Sequence, residues 1–471
     1  MASVKAWKEG DPGQPKFPAD FEVVKKAVLQ VTRIESNNNK YYAVEIHVAK
    51  SGEYKYRVYT HYGRTDDLEA NPNAGMRESR YFKDMASAEG CYADIYKQKT
   101  SATKGYKELS LASAKIGSRQ TLGKSVGHID EATLKKLEEK DKGKGKAPSP
   151  PKCLLPTMIQ ELVGYLYEEA TKALVTTVNA QITANGIETP LGVLTIGQID
   201  KGQVVLDQLV SEFGKKKPDP KALSLLSGQF YTVIPCRFGR TAAAAQQAIL
   251  DTADKLNEKQ ETLQLMRDML NVNGKTNVLV NPQIEQKYLA LKCCIEPVDP
   301  QVFQKMKDYF EKSVVRSWPK VAVKNIWKIQ RQGEGQAFNS VGNDKLLFHG
   351  SNVKNWVGIM SRGLLMPKIV VSLGVHRTDA GWLGNGIYFG DAACTSCGYA
   401  GTGRRGTRFV AIATVSLGKV KQYRKITYGL NKPPDGFDSC HGVRGSEFSD
   451  NELVIYDSRQ QKLEYLVETK G

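Results

Sequence analysis

Four short stretches in the last third of the chain hold residue types that do chemistry on a polar ligand. Leu347-Phe348-His349-Gly350-Ser351 ends an apolar run on a histidine, with a permissive glycine next. Gly386-Ile387-Tyr388-Phe389-Gly390-Asp391 carries a tyrosine in a strand-like run, and Ser396 and then Tyr399 follow it. Asp450-Asn451-Glu452-Leu453-Val454-Ile455-Tyr456 places an acid at the head of an apolar strand. Imidazole and hydroxyl groups hydrogen-bond polar ligands, and tyrosine rings offer flat, polarizable faces. A carboxylate favours positive charge that develops beside it. Each stretch alone also reads as plain structure: a strand-end histidine, packed aromatics, an exposed glutamate. The four in this order are more specific than any one.

These residues need a sheet to hold them. Phe409 to Leu417 and Glu452 to Tyr456 are strand-like, and glycines are dense between residues 350 and 446. Short strands joined by glycine-rich turns suit a sheet around a ligand cleft. Upstream, Ile159, Leu162, Val163, Leu166 and Tyr167 recur at helical spacing after Pro156. A second long helix is predicted from about Thr241 to Leu270, with Gly274 as its stop. Near the N-terminus, Tyr42, Val44, Ile46 and Val48 alternate with Ala43, Glu45 and His47, which predicts a half-buried antiparallel strand. Tyr54 to Tyr59 returns as a second strand, and Ser87 to Lys99 has helical spacing. Lys135 to Lys152 is rich in Lys, Gly and Pro and reads as a flexible linker.

The 471 residues carry a net charge of +17 and are 41% apolar, values that exclude a wholly disordered chain. No apolar run is long enough for a membrane-spanning helix, and the first residues lack the apolar core of a secretory signal. Eight cysteines, Cys293 and Cys294 adjacent and the others scattered, read as reduced thiols. Cys394-Thr395-Ser396-Cys397 has no second pair, so no metal is expected. Gly381, Gly384 and Gly386 are not a dinucleotide fingerprint, because no helix follows them in a βαβ unit. The charge is uneven: +3 over residues 1–110, +5 over 111–152, −2 over 153–300 and +11 over 301–471. A polyanionic partner is implied, with nucleic acid the first candidate.

The last third resembles the catalytic domain of poly(ADP-ribose) polymerases and their diphtheria-toxin-like relatives, whose His-Tyr-Glu triad is matched by His349, Tyr388 and Glu452. The middle resembles the helical regulatory domain of the DNA-dependent members, through Pro190-Leu191-Gly192-Val193-Leu194-Thr195 and Phe230-Tyr231-Thr232-Val233-Ile234-Pro235. The N-terminal part resembles a WGR domain, with Tyr62-Gly63-Arg64 as its tripeptide, then Lys104-Gly105-Tyr106 and the run from Leu111 to Ser118. The implied fold is α+β and multidomain. A disordered tail (1–19) precedes a WGR-like sheet-plus-helix domain (20–125) and a flexible linker (126–152). An all-α regulatory domain (153–280) and a mixed α/β ADP-ribosyltransferase domain with a split antiparallel sheet (281–471) follow.

The resemblance implies NAD+ as substrate. Catalysis would rest on Glu452, His349 and Tyr388. His349, Gly350, Ser351, Asn355, Gly363, Tyr388, Ser396 and Tyr399 would bind NAD+, with Gly350 and Ser396 on the nicotinamide amide and Tyr399 and Tyr388 on either side of its ring. Glu452 would bond the nicotinamide ribose and orient the acceptor hydroxyl, which favours polymer synthesis over single transfer. Tyr62 and Arg64 would meet DNA ends, and Asp268 would be regulatory. The implied function is DNA-break-activated poly(ADP-ribosyl)ation of protein acceptors, the chain itself included, in the DNA damage response. Glu138, Glu139 and Ser149 in the linker are candidate acceptors. The location would be nuclear, or the nucleoid in a bacterium. The alternative is a DNA-end scaffold with single-transfer or no activity. The sequence departs from the family's pattern at Leu365, Thr395 and Gln264, and at a short loop from Cys440 to Ser449. These and Arg377-Thr378-Asp379 bring it closer to the vault-associated type than to the main nuclear enzyme.

Overall fold

The computed structural model describes residues 4–71, 73–111, 155–177, 181–183, 186–189, 191–236, 241–273, 284–317, 322–366 and 381–470. The linker with Glu138, Glu139 and Ser149, the stretch beyond Leu111 to Ser118, Pro190, Gly274 and Arg377-Thr378-Asp379 lie outside them. The chain divides into two compact units. One comprises residues 1–151, 175–212 and 217–251; the other comprises 152–174, 213–216 and 252–471. The segment expected as one helical domain contributes to both units.

The first unit is built on a six-stranded antiparallel sheet in the order β1-β5-β4-β3-β2-β6. Its strands are β1 (Trp7–Lys8), β2 (Phe21–Arg33), β3 (Asn38–Ala49), β4 (Tyr56–Arg64), β5 (Met76–Phe82) and β6 (Lys107–Glu108). The expected half-buried strand is β3, but it is central and buried on both faces. Tyr42, Val44 and Ile46 pack with Ala88 and Tyr92 of the Met85–Thr100 helix. The opposite face buries Tyr41 and Ala43 with Leu68, Leu109 and Leu191. Glu45 and His47 tolerate burial there because they pair with each other at 2.6 Å, while Arg57 Nη2 lies 2.8 Å from His47 Nδ1. The expected disordered tail is ordered at Trp7–Lys8, which pairs with Ser79 and Glu78 of edge strand β5. Lys5 covers the Trp7 ring at 3.5 Å, a cation–π contact within this short segment.

The Pro220–Val233 helix lies against β2. Thr32 N donates to Thr232 Oγ1 at 2.9 Å, and a side chain on Gly228 would meet the Thr32 carbonyl. The expected all-α region also holds three short strands, β7 (Gln181–Thr183), β8 (Gly186–Thr189) and β9 (Gly192–Val193). The predicted long helix is two, Ala242–Gln247 and Ala253–Asn273. Ser227 Oγ accepts from Leu250 N at 2.9 Å and Ile249 and Leu250 are buried, so side-chain packing overrides the helical ladder. Lys255 N then donates to Thr252 Oγ1, a cap for the second helix.

The second unit holds a nine-stranded sheet in the order β10-β11-β18-β14-β12-β13-β17-β16-β15. These are β10 (Cys293–Pro297), β11 (Ala322–Arg331), β12 (Asp344–Ser351), β13 (Ile387–Gly390), β14 (Thr407–Ser416), β15 (Val420–Tyr423), β16 (Ser439–Gly442), β17 (Glu452–Ile455) and β18 (Gln461–Lys470). Every pairing is antiparallel except β15 with β16. β12 and β13 share a single register pair, Phe348 with Gly390, so the sheet opens between them. The expected Cys440–Ser449 loop begins inside β16. One face of the sheet buries Phe310, Phe348, Ile412 and Val467 with Cys397 of the Ala393–Tyr399 helix.

Candidate active site

The opening between β12 and β13 is the mouth of a cleft of about 710 Å³, inside the range of small-molecule sites. His349, Gly350, Ser351, Asn355, Tyr388, Ser396, Tyr399 and Glu452 line it. They come from three strands, β12, β13 and β17, from the short Val353–Asn355 turn and from the Ala393–Tyr399 helix. Gly363 and Asp268 are not among the described lining residues. Gly363 ends the Trp356–Arg362 helix at φ +93°, where a side chain would strike the Arg331 guanidinium.

Local bonds hold the donors in place. His349 Nδ1 lies 2.9 Å from the Tyr388 carbonyl, which ties β12 to β13 where the ladder has all but ended. Tyr388 Oη donates to the Gly384 carbonyl at 2.8 Å and accepts from Leu383 N at 2.9 Å. That turn closes tightly: Gly384 has φ +84°, and a side chain there would overlap Leu430. A side chain on Gly350 would overlap the Ser396 carbonyl, so the Ala393–Tyr399 helix rests on bare backbone of β12. Asn355 Nδ2 donates to Ser351 Oγ at 3.1 Å. Glu452 is 7% exposed, and its Oε1 accepts from Tyr399 Oη at 3.4 Å.

The site suits a polar, planar ligand. Tyrosine rings and glycine backbone form its walls, and the buried Thr395 Oγ1 has no hydrogen-bond partner among the described residues. Among those residues, too, no group of three or more His, Cys, Asp or Glu is placed to hold a metal ion. Burial pushes the Cys397 thiol up to about 12, so it stays protonated beside Ser396.

Several lining residues escape the sequence reading, among them Arg316, Asn352 and Trp382 as well as two on a helix. Asn257 and Glu261, one helical turn apart on the Ala253–Asn273 helix, reach the cleft, and Glu261 pairs with Lys354 at 3.0 Å. Asp268, the expected regulatory acid, is buried instead, where Arg362 grips both of its oxygens at 2.6 and 2.9 Å. Gln264 Nε2 also donates to it. The signal for Glu261 was available in the sequence, as an acid two turns before Asp268 on one helix.

In the first unit, the two candidate DNA contacts are engaged within the fold. Tyr62 stacks on Tyr42 at 5.1 Å between ring centres and donates to Glu78 at 2.8 Å. Burial, then the Glu78 bond, pushes its phenol up to about 12. Arg64 donates to the Asn37 carbonyl and side chain and pairs with Asp66 at 2.9 Å.

Sequence comparison places three domain models along the chain. Residues 25–112 match the WGR domain, 153–278 the poly(ADP-ribose) polymerase regulatory domain, and 301–447 the poly(ADP-ribose) polymerase catalytic domain. The chain belongs to the poly(ADP-ribose) polymerase family. The catalytic match stops short of Glu452, whose place in this polymerase-family cleft rests on the register of β17 with β13. Two family members illustrate the range. The mouse protein mono-ADP-ribosyltransferase PARP4 is 36% identical over 293 residues, 60% of this chain and 14% of that protein. Human poly [ADP-ribose] polymerase 2 is 25% identical over 492 residues, 94% of this chain and 79% of that protein. The chain thus spans about a seventh of the first relative and most of the second.

Proposed function

We propose that the chain is an NAD+ ADP-ribosyltransferase that modifies protein acceptors, itself included, and elongates the product. The observation that carries this reading is the convergence of His349, Gly350, Tyr388, Ser396, Tyr399 and Glu452 on one cleft. NAD+ supplies the ADP-ribosyl group and nicotinamide as leaving group. The Gly350 backbone and Ser396 hydroxyl hold the carboxamide, and the Tyr388 and Tyr399 rings flank the planar base. His349 bonds the adenine-side ribose; its tie to the Tyr388 carbonyl fixes the ring's orientation. Ser351 and Asn355, bonded to each other, extend the ligand wall. Glu452 bonds the nicotinamide ribose hydroxyl. There its negative charge favours the positive charge that grows at the anomeric carbon as the bond to nicotinamide breaks. The same carboxylate orients the acceptor hydroxyl.

Regulation follows from the helical segment. Glu261 puts a carboxylate into a cleft meant for a pyrophosphate, so the Ala253–Asn273 helix opposes NAD+ entry while it is docked. In this reading DNA ends, met by the residues 20–125 domain through Tyr62 and Arg64, favour a state with that helix released. The bonds that engage Tyr62 and Arg64 would then have to be exchanged for phosphate and base contacts. A nuclear site of action, and linker residues Glu138, Glu139 and Ser149 as acceptors, belong to the same proposal.

Single transfer is the second reading, favoured because relatives at 36% and 25% identity are named mono-ADP-ribosyltransferases. Labelled NAD+ with and without nicked or blunt DNA separates the two. A DNA-dependent high-mass smear supports elongation, and a single labelled band supports single transfer. No label in either condition sinks the transferase reading.

A further inference from the structure

Glu452 sits where the sheet gives it least support. It is the first residue of β17, and its register partners on both sides are glycines, Gly390 of β13 and Gly442 of β16. Cross-strand side-chain pairs are what normally fix a strand residue's position, and neither neighbour has a side chain. The ladder also ends at this residue on both sides, which leaves the strand end open to fraying.

The residue just before it supplies what the ladder lacks. Asn451 Nδ2 donates to Asp391 Oδ2 at 2.8 Å, one residue past Gly390. Its Oδ1 accepts from His441 Nε2 at 3.0 Å and from Arg444 N at 2.9 Å, on and just beyond β16. One carboxamide therefore spans all three strands that meet at Glu452. A carboxamide suits the task because it donates on one side and accepts on the other. Asp391 offers only acceptors, and the Arg444 amide and the His441 Nε2–H offer donors.

We infer that Asn451 is the positioning residue of the catalytic carboxylate: it clamps the start of β17 to β13 and β16, so that Glu452 enters the cleft at a fixed angle. The inference rests on the role of Glu452 proposed above. Displacement of a catalytic group by about 1 Å costs on the order of a hundredfold in rate, so a bond set of this kind is expected to show in kcat.

A polarity swap tests it. Asn451→Asp loses the donor toward Asp391 and sets two carboxylates against each other. Combining Asp391→Asn with Asn451→Asp restores the bond between the two positions with donor and acceptor exchanged, and leaves the two bonds from β16 in their original direction. The carboxamide moved to β13 would donate to the carboxylate at the head of β17, which His441 and Arg444 N still supply with donors. Nicotinamide release from NAD+ by the full chain, with melting temperature as a check on folding, is the readout. The single variant is expected to lose about ten- to a hundredfold in kcat with KM for NAD+ within about twofold, and the double variant to return to within a few-fold of wild type. A single variant as active as wild type, or a double variant no better than the single one at equal melting temperature, overturns the inference alone. Wild-type protein that releases no nicotinamide overturns the transferase reading, and this inference with it.

Discussion

At the residue scale, the site is a set of side chains held by bonds to backbone and by gaps left for them. Gly350 is the clearest case, because its missing side chain lets the Ser396 carbonyl approach β12. Gly350→Ala is therefore expected to displace the Ala393–Tyr399 helix and weaken NAD+ binding at least tenfold, measurable by titration calorimetry; an unchanged affinity would remove this glycine from the site. The triad types, their order and their strand setting were all legible in the sequence. The partners of those residues were not. That Tyr399 reaches Glu452, or that Asp268 turns away from the cleft to Arg362, depends on packing between elements distant in sequence. Tyr62 and Arg64 were legible as a tripeptide, but not their stacking on Tyr42 or pairing with Asp66.

At the element scale, periodicity was a sound guide for the Met85–Thr100 and Thr157–Thr177 helices. It misled for β3, because a strand buried on both faces keeps its alternation only if buried polar residues find partners, as Glu45, His47 and Arg57 do. It merged the Ala242–Gln247 and Ala253–Asn273 helices, because the break is made by Ser227, which lies outside the periodic stretch. Two helices of the regulatory segment dock on the catalytic sheet's own unit through charge. Arg404 pairs with Glu168 of the Thr157–Thr177 helix, whose Glu169 accepts from Arg404 N, and Arg362 grips Asp268. The Arg404 pair is half exposed and contributes little. The Asp268 pair is the stronger latch, since removal of one partner of a buried pair costs roughly 3–5 kcal/mol. Asp268→Ala is thus expected to lower the melting temperature and raise the DNA-independent rate severalfold. A destabilised variant with an unchanged basal rate would separate this latch from regulation. Acid should act on the N-terminal sheet: burial lowers the pKa of His61 below its ordinary value of 6.5. Its neutral form is the folded one, so stability is fully present above 6.5 and declines as pH falls through the folded value. His61→Gln is expected to flatten that decline in a pH series of melting temperatures.

At the scale of the whole molecule, the charge of +17 is not one DNA-binding surface. The candidate DNA reader, residues 1–110, holds +3 of it, whereas residues 301–471, which supply most of the candidate cleft, hold +11. In the proposed function, self-modification would offset that charge and weaken binding to DNA. The regulatory segment contributes residues to both compact units, and the proposed function makes it the element that couples DNA binding to the cleft. Deletion of residues 153–280 is accordingly expected to make transfer independent of DNA; a deletion variant that still needs DNA would refute this coupling. The central claim is narrower than any of these: that the cleft cleaves NAD+ with Glu452 as its carboxylate. Nicotinamide release by the full chain with DNA ends present, wild type against Glu452→Gln, tests it most directly. The account predicts release by wild type and a loss of about a hundredfold or more in the variant, with NAD+ binding retained. Equal release by the two proteins would contradict it.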